Sequence, residues 1–257
     1  MIRSFYYNGE KTFLQLQGIW RVRYYALVNE TLLVVRALLD FGIVLLAFRL
    51  GRPYLYATII INLLLIALLG AKLQVLFGYI TNVGNVPYAA VFFAIFLLLE
   101  HDTPQAAARA IWIGISAVVS FLVLMELTLL LQSPAQTQEF STLMNQVLGV
   151  TPRIALASLT GYLVTMHLIM WLYMHWEETV GRPHWWLRVI SVTLAAQLVD
   201  TVIFFSIAFA GMVTSSMVFE SIIVGYIIKI SLGVLSTPFI YLTHKLVQRS
   251  APVQIRF

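Results

Sequence analysis

The sequence predicts an all-α integral membrane protein, a bundle of six to seven transmembrane helices. Hydrophobic residues make up 60% of the 257 residues and charged residues only 11%, whereas soluble domains carry about 25% charged residues. The mean hydropathy is +0.88. The apolar residues fall into runs of about 20, the length that crosses the hydrocarbon core of a bilayer. The chain is therefore expected to work within a lipid bilayer.

Seven apolar segments follow one another, joined by short polar connections. They cover residues 31–49, 53–77, 87–99, 107–131, 154–176, 186–209 and 220–246. The third segment is short and begins within or just after a Gly- and Asn-rich loop over residues 79–86. The polar stretch 132–152 is predicted to hold a surface helix in its middle.

The first segment is the one whose membrane crossing the sequence leaves open. Arg36 and Asp40 lie one helical turn apart near its centre, and charges at that depth are costly unless they pair or face protein. Both a full span and a segment that lies on the inner surface or re-enters the membrane are therefore retained.

The chain is divided into three parts. Residues 1–30 are basic and aromatic, without the apolar core and cleavage site of a signal peptide, and are predicted to lie at the membrane interface; a partly ordered tail is the alternative. Residues 31–246 form the bundle, and residues 247–257 a short cytoplasmic tail.

The distribution of basic residues predicts the orientation of the last six helices. Basic residues lie near alternate connections, at Arg49, Arg52, Arg109, Arg182, Arg188, Lys245, Arg249 and Arg256. The loops 79–86 and 211–219 contain no Lys or Arg. The pattern predicts a multi-pass protein of the cell's inner (cytoplasmic) membrane with its C-terminus in the cytoplasm.

Several function classes are excluded or disfavoured. The chain has no cysteine, so disulfides and thiol nucleophiles are excluded. It has no phosphate-binding loop, dinucleotide fingerprint or nucleophile elbow, so neither an enzyme nor a cofactor is expected. His167 and His175 are two helical turns apart with no carboxylate between them, so no metal site is predicted. The formal charge of +5 is assigned to cytoplasmic loops and lipid headgroups rather than to nucleic acid.

Few ionisable residues lie deep in the predicted spans, and Asp200 is the strongest functional candidate among them. Its helix face also carries, at helical spacing, Thr193, Gln197, Thr201 and Phe204. Lys229 lies at comparable depth in the last helix. Two compatible interpretations follow: an interhelical Asp200–Lys229 ion pair that holds the bundle together, or a polar site for a solute.

Two other charged positions have competing interpretations. Arg153 opens the fifth long helix, either as an interfacial anchor that snorkels to the headgroups or as part of a site. Glu100, His101 and Asp102 form a short charged stretch, which is interpreted as a solvated cytoplasmic turn.

Three runs in the second half form a recognisable set. They are Arg153-Ile-Ala-Leu-Ala-Ser158 with Tyr162; Thr193, Gln197, Asp200-Thr201 and Phe204; and Lys229 with Thr237-Pro238 and Tyr241. Over roughly residues 153–245 they resemble three consecutive helices of the queuosine precursor transporter family, also described as vitamin-uptake-like.

The resemblance implies a six-helix bundle like the substrate-binding subunits of energy-coupling-factor importers, which imports 7-cyano-7-deazaguanine or a related base. Asp200 would accept the adjacent N–H donors of a guanine-like edge, with Lys229 and Arg153 as nearby cations. The implied substrate-binding set is Asp200, Lys229, Arg153, Gln197, Thr193, Thr201, Tyr162 and Phe204. The implied partners are the bilayer, a small solute and possible partner membrane subunits.

A second hypothesis belongs to a different class: a non-transporting accessory or scaffold subunit of a larger membrane complex. Three polar positions of the family are occupied here by Phe96, Ala67 and Val192. The extra segment 31–49 also fits a subunit. Co-purification with stoichiometric partners distinguishes the two hypotheses.

Overall fold

A computed structural model describes residues 28–69, 72–149, 152–180, 185–209, 211 and 214–249. Its helices are α1 (Val28–Leu50), α2 (Arg52–Leu69), α3 (Asn85–His101), α4 (Pro104–Leu129), α5 (Gln138–Leu148), α6 (Pro152–Val180), α7 (Trp185–Phe209) and α8 (Ser215–Arg249). Within these residues, six helices are long and apolar enough to cross a membrane, and α3 is a shorter apolar helix. The predicted fold class is confirmed. The division at residues 1–30 and 247–257 stays a prediction, since most of these residues lie outside the described ranges.

The second predicted helix was too long. The structure ends α2 at Leu69 and then forms an antiparallel hairpin of β1 (Leu73–Leu76) and β2 (Tyr79–Asn82). Phe77 and Gly78 form its turn with φ of 51° and 84°, the left-handed pair that fits the twist of a two-residue hairpin. The apolar run continues through β1, and hydrophobicity alone does not separate a short buried strand from the end of a helix.

Helix α3 is the centre of the bundle. Every residue from Ala89 to Leu99 is buried, so this helix is apolar on all faces, as a helix surrounded by other helices must be. The hairpin leads directly into it, where the Asn85 amide donates to the Thr81 hydroxyl over 2.9 Å. The first turns of α3 are therefore fixed relative to the hairpin.

Helix α1 packs on the bundle with its two central charged residues, Arg36 and Asp40, in contact with protein groups. Phe41 makes edge-to-face contacts with Phe93 of α3 and Phe239 of α8, at centroid distances of 5.7 and 5.4 Å. The Arg36 guanidinium donates to the Val83 carbonyl over 3.2 Å, and Asp40 interacts with the Asn62 side chain. These contacts meet the condition under which charges at this depth are tolerated in a span.

The predicted surface helix lies between α4 and α6 and is present as α5, which has no buried residues. Its exposed apolar side chains recur at helical spacing, at Phe140, Leu143, Met144 and Val147. This pattern is typical of a helix that lies in the membrane interface.

The packing of α1 predicts the effect of removing Phe41. Phe41→Ala deletes a fully buried ring that contacts two other rings, and is expected to cost on the order of 3 kcal/mol because the cavity closes only partly. Thermal unfolding in detergent should show a clearly lowered Tm. Ile43→Ala is the matched control, since Ile43 is 54% exposed on the same helix. Equal effects of the two substitutions would contradict this packing.

Candidate functional site

A cavity of about 210 Å³ lies within the bundle and reaches the connections at one end. Helices α2, α3, α4, α6, α7 and α8 form its walls, which are mostly apolar. The polar side chains that line it are Asn82, Asn85, Tyr88, Ser158, Tyr162, Asp200 and Lys229. Ligand sites usually combine apolar walls with a few convergent polar groups, in volumes of about 300–1,000 Å³ for drug-sized molecules. This cavity suits a smaller solute.

The polar floor of the cavity is built around the Asp200 carboxylate, which is only 5% exposed. The Lys229 ammonium of α8 pairs with its Oδ2. The Tyr88 hydroxyl of α3 donates to Oδ1 over 2.6 Å, and the Thr165 hydroxyl of α6 lies 3.4 Å from the same oxygen. Donors from three helices therefore converge on a carboxylate supplied by a fourth.

Two features of the chain make this arrangement possible. Gly161 lets the α6 backbone approach closely, because a Cβ there would lie 3.0 Å from Asp200 Oδ1. The Lys229 ammonium also lies 5.0 Å from the centroid of the Tyr88 ring, close enough for a cation–π attraction. The buried cation is thus compensated by both a carboxylate and an aromatic face.

The predicted site residues divide into two groups. Asp200, Lys229, Tyr162 and Phe204 line the cavity. Thr193, Gln197 and Thr201 are buried but lie outside its lining. The methyl of Thr193 lies 2.8 Å from the position of a Cβ on Gly233, and the Thr201 hydroxyl donates to the Gln197 carbonyl over 2.6 Å. Arg153 lies in α6, but its side chain is outside the described part of the structure.

The predicted set lacks four polar residues of the cavity lining, Asn82, Asn85, Tyr88 and Ser158. Among these, Tyr88 contacts Asp200. It lies at the second residue of the predicted third helix, directly after the Gly- and Asn-rich loop. A lone hydroxyl at the start of an otherwise apolar run was the available signal. The Tyr88 hydroxyl, in the first half of the chain, donates to Asp200 Oδ1 over 2.6 Å.

The opposite end of α3 carries a second set of polar contacts, which we term the terminal clasp: Glu100, His101 and Asp102 with their partners. Glu100 accepts from Tyr173 of α6 and Arg188 of α7. His101 Nε2 lies 3.0 Å from the Thr243 hydroxyl of α8.

The clasp is completed by Asp102, which pairs with Arg52 of α2. Within the clasp the Arg188 guanidinium also lies 4.1 Å from the centroid of the Tyr173 ring. Glu100, His101 and Asp102 are thus half-buried and join helices, in contrast to the solvated turn expected from the sequence.

The fold and the site together define a class: a multi-pass membrane bundle with a small, mostly apolar cavity. Residues 82–243 match the family described as "Putative vitamin uptake transporter". The chain is also 30% identical over 226 residues to the "Probable queuosine precursor transporter" of Bacillus subtilis (strain 168), covering 85% of this chain and 96% of that protein. No solved structure matches. The chain belongs to this family of membrane transporters, which confirms the resemblance.

The buried ion pair predicts a non-additive pattern of stability. Lys229→Met leaves the Asp200 charge uncompensated, which typically costs about 3–5 kcal/mol, whereas replacing both partners by neutral groups is often far less costly. The double variant D200N/K229M should therefore unfold at a higher temperature in detergent than K229M alone. A double variant as unstable as the sum of its single variants would contradict the pair.

Proposed function

We propose that the protein imports a small flat solute across the inner membrane, and that this solute is a queuosine precursor such as 7-cyano-7-deazaguanine. The observation that carries the proposal is the Asp200–Lys229 pair at the floor of a small, mostly apolar cavity. The similarity to the probable queuosine precursor transporter of Bacillus subtilis supports the choice of solute.

The chemistry of the cavity floor suits a guanine-like base. Such a base has adjacent N–H donors beside a carbonyl acceptor on one edge, and a carboxylate accepts paired donors in charge-assisted hydrogen bonds. An ammonium group next to that carboxylate is placed to donate to the carbonyl. Phe204 and Tyr162 supply aromatic surface in the same cavity, and aromatic rings pack well against a flat apolar face. Asp200, Lys229, Phe204 and Tyr162 therefore form the core of the proposed site.

The ends of the cavity fit an outward-facing arrangement. Asn82, Gly84, Val147 and Gly149 line the cavity and belong to connections at one end of the bundle. Between α2 and α8, the connections at that end carry two basic residues in or next to them, Lys72 and Arg153, fewer than the connections at the other end, so we assign it to the outside by the positive-inside rule. By the same rule we assign the Arg-rich end, where the terminal clasp lies, to the cytoplasm together with the C-terminus.

Uptake of labelled 7-cyano-7-deazaguanine tests the proposal in cells that lack their own synthesis and transport. We expect wild-type protein to restore uptake and Asp200→Asn to reduce it at least about tenfold, since hydrogen bonds to a charged group contribute about 1.5–3 kcal/mol. Glu126→Gln is the control, because Glu126 is an exposed carboxylate on α4.

Two results would contradict the proposal in different ways. Unchanged uptake by a well-expressed Asp200→Asn protein would remove Asp200 from the site. The absence of uptake by a correctly inserted wild-type protein would favour the accessory-subunit hypothesis, which stoichiometric co-purification of partners would then support.

A further inference from the structure

Both oxygens of the Asp200 carboxylate already have donors from neighbouring helices. On Oδ1 the Tyr88 hydroxyl donates over 2.6 Å, with Thr165 at 3.4 Å. Gly161 of α6 lies close to this oxygen, since a Cβ there would be 3.0 Å from it. Oδ2 is paired with the Lys229 ammonium. A carboxylate has about four acceptor sites, and both sites of Oδ1 already have a hydroxyl near them. A solute whose paired N–H groups bind both carboxylate oxygens must therefore replace a donor on Oδ1.

The three donors differ in how easily they can be replaced. Displacing Lys229 would separate two buried charges, and an uncompensated buried charge is strongly unfavourable. Thr165 is fully buried and does not line the cavity. Tyr88 is neutral, half-buried and part of the cavity wall. The Tyr88 hydroxyl is the donor whose exchange costs least.

We propose that, in the absence of solute, the Tyr88 hydroxyl occupies the position on Asp200 Oδ1 that the solute uses. The N–H donors of the solute then displace this hydroxyl when they bind the carboxylate. The inference rests on the proposed function. Tyr88 is then a specificity-determining residue. A solute without N–H donors on the matching edge cannot form a hydrogen bond to Asp200 that compensates for the lost bond from the Tyr88 hydroxyl. The site then favours guanine-like edges over flat molecules that carry only acceptors.

Tyr162 differs from Tyr88 in the hydrogen bonding of its hydroxyl group. Tyr162 lines the same cavity, and its hydroxyl is buried without a hydrogen-bond partner among the described residues. A solute that reaches this hydroxyl therefore replaces no internal hydrogen bond. Removing it should weaken binding, whereas removing the Tyr88 hydroxyl should strengthen it.

The experiment compares KM for uptake of 7-cyano-7-deazaguanine by wild type, Tyr88→Phe and Tyr162→Phe at equal expression. We expect Tyr88→Phe to lower KM about three- to tenfold, the effect of one hydrogen bond of ordinary net strength, and Tyr162→Phe to raise it. A general loss of packing would not lower KM, so the direction separates exchange from a structural role.

Each outcome of this comparison decides a different question. A raised or unchanged KM in Tyr88→Phe, with uptake by wild type and loss of uptake in Asp200→Asn, would overturn the exchange while leaving the proposed function intact. Absence of uptake by wild type would overturn the proposed function and this inference with it.

The terminal clasp joins the end of α3 to four other helices. Three consecutive residues at the C-terminal end of α3 each contact a different part of the bundle: Glu100 contacts α6 and α7, His101 contacts α8, and Asp102 contacts α2. A solute leaving the cavity at this end has to pass between these helices.

We infer that the terminal clasp is a gate, closed in this structure. The side chains of Glu100 and Arg188 are 15% and 3% exposed, so they are paired inside the protein while the gate is closed. When the gate opens, water hydrates the separated charges, which offsets much of the lost attraction because a buried pair has already given up its hydration. The free energy needed to separate these charged side chains is therefore smaller than the free energy needed to expose an apolar core of the same size.

Accessibility of a single cysteine tests the gate, since the chain contains none. Ile169 is fully buried on α6, one helical turn before Tyr173. In an Ile169→Cys background, we expect Glu100→Gln to raise severalfold the rate of labelling by a membrane-impermeant maleimide added at the clasp face. Glu126→Gln serves as the control and should leave the rate unchanged.

Three further variants keep the test decisive if Glu100→Gln fails to fold. Thr243→Val removes one hydrogen-bond partner of His101, and Arg188→Gln removes a cation from Glu100. Arg188→Lys retains the charge and should label more slowly than Arg188→Gln. Labelling rates equal to that of the parent in all variants that keep the parent Tm would overturn the gate.

Discussion

The buried pair of Asp200 and Lys229 is the interaction on which the rest of the structure depends. Two charges deep in a membrane bundle are tolerated only when they are paired and their remaining hydrogen bonds are satisfied. That requirement explains the close approach of α6 at Gly161 and the hydroxyl of Tyr88. Because Tyr88 lies near one end of α3 and the terminal clasp at the other, the same central helix contacts both the cavity floor and the closed end of the bundle.

Much of the fold could be predicted because the bilayer imposes a simple constraint on the sequence. Apolar runs of about 20 residues identify spanning helices, and the bounds of the long helices were predicted to within a few residues, apart from the end of α2. The hairpin after α2 was not predicted, since its strands prolong an apolar run and their pairing depends on a turn at Phe77 and Gly78. The surface helix α5 was predicted because its polar flanks interrupt the pattern.

The site could be predicted in part, for a reason that lies in helix geometry. Spacing shows which residues share a face of α7, but the cavity touches only part of that face. It includes Asp200 and Phe204, while Gln197 is buried outside it. The contribution of Tyr88, 112 positions away from Asp200, is a long-range contact that no local pattern encodes. The terminal clasp was interpreted as a solvated turn for the same reason.

Protection of a cysteine in the cavity tests the central claim most directly. Ser158 lines the cavity, and Ser158→Cys would be the one cysteine in the chain. The account predicts that saturating 7-cyano-7-deazaguanine slows maleimide labelling of this cysteine in the purified protein, and that Asp200→Asn removes the protection. Labelling at the same rate with and without the base, in a protein that transports it, would show that the solute binds elsewhere.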